Sequence, residues 1–124
     1  MSKVSTLTYS WGSTGSKTLI LDLDGEIPND IEVIAGPRTN TTETSGLLSI
    51  GTSSVTNTYC VAITPTMSKR FPYSAGAAYL FAVHDATNTK VLSGTLTSVD
   101  VDEVVVNVDT NTSGYGIILK ARSA

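Results

Sequence analysis

The sequence predicts an all-β fold: a single-domain antiparallel β-sandwich, jelly-roll-like, with about eight to nine short strands over residues 1–124. Three observations carry that reading. Apolar and polar residues alternate with a period of two, as in Leu19-Ile20-Leu21-Asp22-Leu23 and Val104-Val105-Val106-Asn107-Val108. Residues two apart on a strand share a face, so each such run offers one apolar face to a core. Thr, Val and Ile together supply 39 residues, and their branched side chains suit a pleated surface better than a helix. Clusters of Ser, Thr, Asn, Asp and Gly interrupt the runs at short intervals, the spacing of a sandwich or barrel.

The strands follow in order. Lys3–Trp11 alternates Ser5, Leu7, Tyr9 and Trp11, and the Gly12–Gly15 turn ends it. Lys17–Asp24 carries Leu19, Leu21 and Leu23 up to the Asp24-Gly25 turn. After Asn29-Asp30 comes Ile31–Ala35, stopped by Gly36-Pro37. Gly46–Gly51 and Thr58–Thr64 are the next two runs. Ala78–His84 follows; around it Ser74–Ala86, with Ala75, Ala77, Ala78 and Ala82, could also suit a buried helix, but Tyr79, Phe81 and Val83 alternate and a turn at Asp85–Lys90 leads into Val91–Ser98, a hairpin arrangement. Glu103–Val108 and Tyr115–Lys120 complete the set. Arg38–Ser45 and Thr64–Ser74 read as mobile loops, the places where a sandwich carries its contacts.

Charge and cysteine usage narrow the function. With 11 acidic against 8 basic residues and a net charge of −3, the surface is not built to neutralise phosphates, so nucleic acid is not an expected partner. Cys60 stands alone and forms no intrachain disulfide. The chain shows neither a signal-like nor a membrane-spanning apolar stretch, so cytoplasmic synthesis and no membrane insertion are expected.

No constellation of catalytic residues emerges, and the expectation is a protein that is not an enzyme and takes no cofactor. Gly12-Ser13-Thr14-Gly15-Ser16-Lys17-Thr18 has Ser16 where a phosphate loop needs glycine, and a strand rather than a helix follows, so a hairpin turn is the better account. His84 and Asp85 are adjacent, hence on opposite strand faces, and no nucleophile elbow accompanies them. Cys60, between Tyr59 and Val61, reads as a small core hydrophobe. The acidic clusters Asp22–Glu26 with Asp30, and Asp100–Glu103, could supply oxygen ligands to calcium, but neither continues as a calcium loop, and solvated turn charges account for them as well. Asn40-Thr41-Thr42 and Asn111-Thr112-Ser113 match the glycosylation pattern, which matters only in a secreted protein. The best candidates for a binding surface are Trp11, Arg38, Lys69, Arg70 and Tyr73. Aromatic faces can meet a sugar ring, while packing in a core or a subunit interface is the competing use of Tyr9, Trp11, Tyr59, Tyr79 and Tyr115.

Read together, Ile27–Ala35, Gly46–Gly51 with Tyr59-Cys60-Val61, Val91–Leu96 and Tyr115–Ala121 resemble small β-sandwich proteins of phage virions, of the tail-fibre, tail-tip and capsid-decoration type. Related sequences often carry a glycine–aromatic pair after the strand at Val91–Ser98, where this chain has Asp102-Glu103-Val104. The resemblance implies a non-enzymatic structural protein that forms homo-oligomers, frequently trimers, and binds capsid or tail proteins on a virion assembled in the host cytoplasm. A lectin-like module that binds a surface glycan for host recognition is the alternative.

Overall fold

The structure, a computed structural model, describes residues 3–37, 49–54, 58–63, 69–70, 73–74, 77–84, 89–112 and 114–124. Among them are twelve strands: β1 (Val4–Tyr9), β2 (Gly15–Ile20), β3 (Pro28–Pro37), β4 (Ser49–Ser53), β5 (Thr58–Ile63), β6 (Lys69–Arg70), β7 (Tyr73–Ser74), β8 (Ala77–Ala78), β9 (Phe81–His84), β10 (Lys90–Asp100), β11 (Glu103–Asn111) and β12 (Tyr115–Ser123). The nine that are four residues or longer overlap the nine expected places, but β3 runs through Asn29-Asp30 and Gly36-Pro37, which read as turns; Asp30, Gly36 and Pro37 instead pair with β12. The two-residue strands β6, β7 and β8 fall in and just after the stretch read as a loop from Thr64, and Arg38–Ser45 lies outside the described residues.

The strands form a six-stranded sheet in the order β1-β12-β3-β4-β5-β6 and a four-stranded sheet in the order β2-β11-β10-β9, with β7 and β8 as a separate pair. All pairings are antiparallel. The jelly-roll-like part is the outer ribbon. The chain passes from β1 in the first sheet to β2 in the second, and later from β11 in the second to β12 in the first, so that one long antiparallel ribbon wraps both layers. The other strands run as meanders, β3 to β6 in one sheet and β9 to β11 in the other. The segment from Ser10 to Thr14 is therefore a crossover between sheets and not the hairpin turn its glycines suggest, because β1 and β2 never pair.

Alternation explains which side chains fill the layer between the sheets. Ile31, Val33 and Ala35 from β3 and Ile117, Leu119 and Ala121 from β12 meet Leu19 of β2, Val104, Val106 and Val108 of β11, Leu92 of β10 and Phe81 and Val83 of β9 in one buried cluster. Leu21 and Leu23 belong to the same cluster although β2 ends at Ile20. Asp24 and Gly25 both have positive φ, 52° and 82°, and Glu26 N donates to Leu23 O at 3.1 Å, the closure of a type I′ turn.

That turn is pinned by the β10–β11 hairpin. Asp102 sits at its tip with φ 52°, and its carboxylate accepts from Leu23 N (2.8 Å) and Gly25 N (3.0 Å). Backbone bonds from Leu21 N to Asp102 O and from Asp102 N to Glu26 O close the contact at 2.9 and 3.0 Å. Asp102→Ala is expected to lower unfolding free energy by about 2 kcal/mol in urea titration, since a charged acceptor of two amides is lost. Asp102→Asn keeps an acceptor and tolerates the left-handed backbone, so it should lose about half as much.

Candidate interaction surface

An antiparallel sheet with one solvated face normally turns polar residues outward. The six-stranded sheet departs from this along one row. Register pairs Thr8 with Ile118, Ile118 with Ile34 and Ile34 with Ile50, across β1, β12, β3 and β4. Ile118, Ile34 and Ile50 are 47%, 49% and 51% exposed, so three isoleucines stand side by side in solvent. The adjoining rows are charged. Lys120 lies opposite Glu32, which lies opposite Thr52, and Arg122 lies opposite Asp30, with Arg122 Nη1 3.9 Å from Asp30 Oδ2. The outer face thus carries an apolar row beside two cations on β12 and two anions on β3. Val4 of β1, opposite Arg122, and Ile20 of β2 are further exposed apolar residues on the two edge strands at this side of the sandwich. At the Asp102 end, half-exposed Ile27 and Val101 flank an open depression of about 590 Å³.

The described ones among the expected site residues are not gathered there. Trp11, two residues past β1, stacks on Tyr9 (5.8 Å between ring centroids) and on the fully buried Phe81 (6.0 Å). Tyr9 and Trp11 are both partly buried against the core. Lys69 and Arg70 form β6 at the far edge of the same sheet, where Lys69 pairs with Ile63 and Arg70 with Ala62. Five inter-strand steps separate β1 from β6, roughly 24 Å, so Trp11 and the Lys69-Arg70 pair are not neighbours on one sheet edge. Tyr73 is in β7, paired with Ala78, and Arg38 lies outside the described residues.

The other candidate groups have structural partners. Lys17 Nζ donates to Ser13 Oγ at 2.8 Å in the glycine-rich segment, which runs into β2. His84 is buried at the end of β9, opposite Lys90, and Asp85 lies outside the described residues. The two acidic turns do come together, but through the Asp102 carboxylate on backbone amides, and no group of three or more His, Cys, Asp or Glu among the described residues could hold a metal ion. Asp24 is engaged by Lys3, Nζ to Oδ2 2.6 Å, and that hydrogen bond and charge raise the lysine pKa.

Cys60 is buried beside Tyr79 and Ala82, with Sγ 3.4 Å from Ser49 Oγ. Burial pushes its thiol pKa up, outweighing the hydrogen bonds that favour the thiolate. In the unfolded chain the thiol ionises near its ordinary pKa of about 8.5, while the folded thiol still holds its proton. The unfolded state then binds fewer protons, so stability falls as pH rises through that range until the folded thiol also ionises. Urea titrations from pH 7 to 10 should show a steeper alkaline loss for the native chain than for Cys60→Ala.

Sequence reasoning missed the isoleucine row because it assigned each run one apolar face. The signal was present as unbroken triplets, Val33-Ile34-Ala35 and Ile117-Ile118-Leu119, whose middle residue must point away from its neighbours in any strand. Compared with protein-family models, with curated proteins and with solved structures, the chain finds no match.

Proposed function

We propose that this chain is a non-catalytic structural component of a phage particle, of the capsid-decoration or fibre-like kind, which works by binding copies of itself and other particle proteins. The observation that supports the reading best is the row Ile118-Ile34-Ile50 on the solvent face of the larger sheet. Contiguous exposed apolar residues rimmed by polar ones are a feature of association surfaces. Among the described residues β1 and β2 are edge strands, which offer further backbone groups for contact along one side of the sandwich. Its place would be on the virion, after assembly in the host cytoplasm. Mass spectrometry of purified particles tests the proposal: the chain should be found at a fixed stoichiometry to the major capsid or tail protein, and its absence from intact particles would sink the idea.

A second reading, glycan recognition, is favoured by the stacked Tyr9–Trp11 pair, whose rings keep part of their surface in solvent. A glycan array probed with the native chain and Trp11→Ala decides it. Binding lost in the variant supports the reading, and no signal from the native chain removes it.

A further inference from the structure

We infer that the outer face of the six-stranded sheet is a self-complementary interface that pairs two copies of this chain about a two-fold axis parallel to its strands, set between β12 and β3. The inference rests on the reading of the chain as an assembly protein and adds the surface and the symmetry. A two-fold interface brings the same patch together twice, residue i of one copy against j of the other and j against i. The cross-strand register makes this face fit that requirement. Cations occupy one strand, Lys120 and Arg122 on β12, and anions occupy its neighbour at the same levels, Glu32 and Asp30 on β3.

Rotation about an axis between these two strands lays β12 of one copy over β3 of the other while keeping each residue at its level along the strand. Lys120 then faces Glu32 of the second copy, Arg122 faces Asp30, and Ile118 faces Ile34, with each contact repeated on the other side of the axis. A two-fold perpendicular to the strands does not achieve this. It sets β12 on β12 and β3 on β3, so that like charges meet or are left unmatched.

The neighbouring strands are compatible with the same axis. β1 comes over β4, which brings Thr8 toward Ile50 and Thr6 toward Thr52, with no charged residue in either pair. Sheets stacked face to face pack about 10 Å apart, close enough for the isoleucines to interdigitate. Four strands at the usual spacing and three outward rows give a face of roughly 20 Å by 20 Å. That buries on the order of 800 Å² over the two copies, below the range of stable specific interfaces, so the association is expected to be weak and reversible, in the high micromolar range.

Sedimentation velocity of the full chain between about 1 and 500 μM tests this. The native chain should pass from monomer to dimer over that range. Lys120→Glu and Glu32→Lys should each weaken self-association at least tenfold, because each places like charges across the axis. An equimolar mixture of the two variants should form a heterodimer. The carboxylate introduced on β12 of one copy then meets the ammonium introduced on β3 of the other, while the unchanged Glu32 of the first meets the unchanged Lys120 of the second. A loss of fold stability would not be repaired by mixing, so this arm separates an interface effect from a folding effect. Native chain that stays monomeric at 500 μM overturns the inference, and so does a dimer indifferent to both reversals. A monomeric chain that is still found in purified particles would remove this interface and leave the structural role standing. A dimer with the predicted reversal behaviour, from a chain absent from particles, would do the opposite.

Discussion

Gly51→Ala is expected to destabilise the fold by roughly 3 kcal/mol or more, enough to leave a marginal domain unfolded. A β-carbon at Gly51 would stand 1.6 Å from the carbonyl oxygen of Leu80 and 2.8 Å from its carbonyl carbon. Backbone, not a flexible side chain, occupies that space, and it is held from the other side, since Leu80 N donates to Gly94 O at 2.8 Å. Relief therefore requires β9 to lift away from β4. That would break the bond from Ala82 N to Ser49 Oγ, 2.9 Å long, which ties the edge of the smaller sheet to the larger one. At Gly51 the backbone of β4 thus comes into contact with the backbone leading into β9, and only the absence of a side chain permits it. Urea unfolding followed by circular dichroism is the measurement. A Gly51→Ala chain within about 1 kcal/mol of native would show that the layers can separate there without loss.

Phe81→Ala should cost about 3–5 kcal/mol, the range for removing a fully buried ring. Its surroundings are poorly placed to collapse into the void. Gly94 lies directly beneath, so close that a β-carbon there would be 2.5 Å from Phe81 Cζ, and Trp11 is stacked against the ring with an interplanar angle of 13°. The Gly94 contact gives the prediction a second part. Gly94→Ala should destabilise the native chain by crowding the ring, yet cost less alongside Phe81→Ala, where the added methyl enters the cavity and only the Asn107 carbonyl oxygen, 3.1 Å from it, stays close. A double-mutant cycle should therefore yield a coupling above about 1 kcal/mol, and additivity would mean that the ring does not rest on Gly94.

How far the architecture could be read in advance varied along the chain for physical reasons. Alternation tracks burial, and burial was legible even where hydrogen bonding was not. Leu21 and Leu23 are as buried as the spacing implied, but they belong to a bent segment held by Asp102 and not to β2. Asp24-Gly25 was legible as a turn because its backbone needs two left-handed residues. The hairpin from β9 to β10 was legible too, since its partners are close in sequence. Sheet membership was not. Nothing in Ser10–Thr14 distinguishes a turn that returns a strand along its neighbour from one that sends it to the opposite layer.

The surface residues were harder still. Ile34, Ile50 and Ile118 are far apart in sequence and become one row only through the pairings of β3 with β12 and with β4. The same pairings set Lys120 beside Glu32. Trp11 stood out by residue type, but its neighbour Phe81 lies 70 positions away, so stacking could not be anticipated.

The outer ribbon has a consequence for the order in which the molecule can form. Val4 pairs with Arg122 and Ile20 with Glu103, so both edge strands wait for partners that lie far downstream in the sequence. The meanders β3–β5 and β9–β11 can close early from local hairpins, whereas β1 and β2 must search across most of the chain. Such non-local closure places a β fold among the slow ones, milliseconds to seconds. Among the described strands β1 pairs only with β12 and β2 only with β11, and closing β1 onto β12 joins Lys3 to Ser123, with Lys3 N donating to Ser123 Oγ and Ser123 N to Lys3 O.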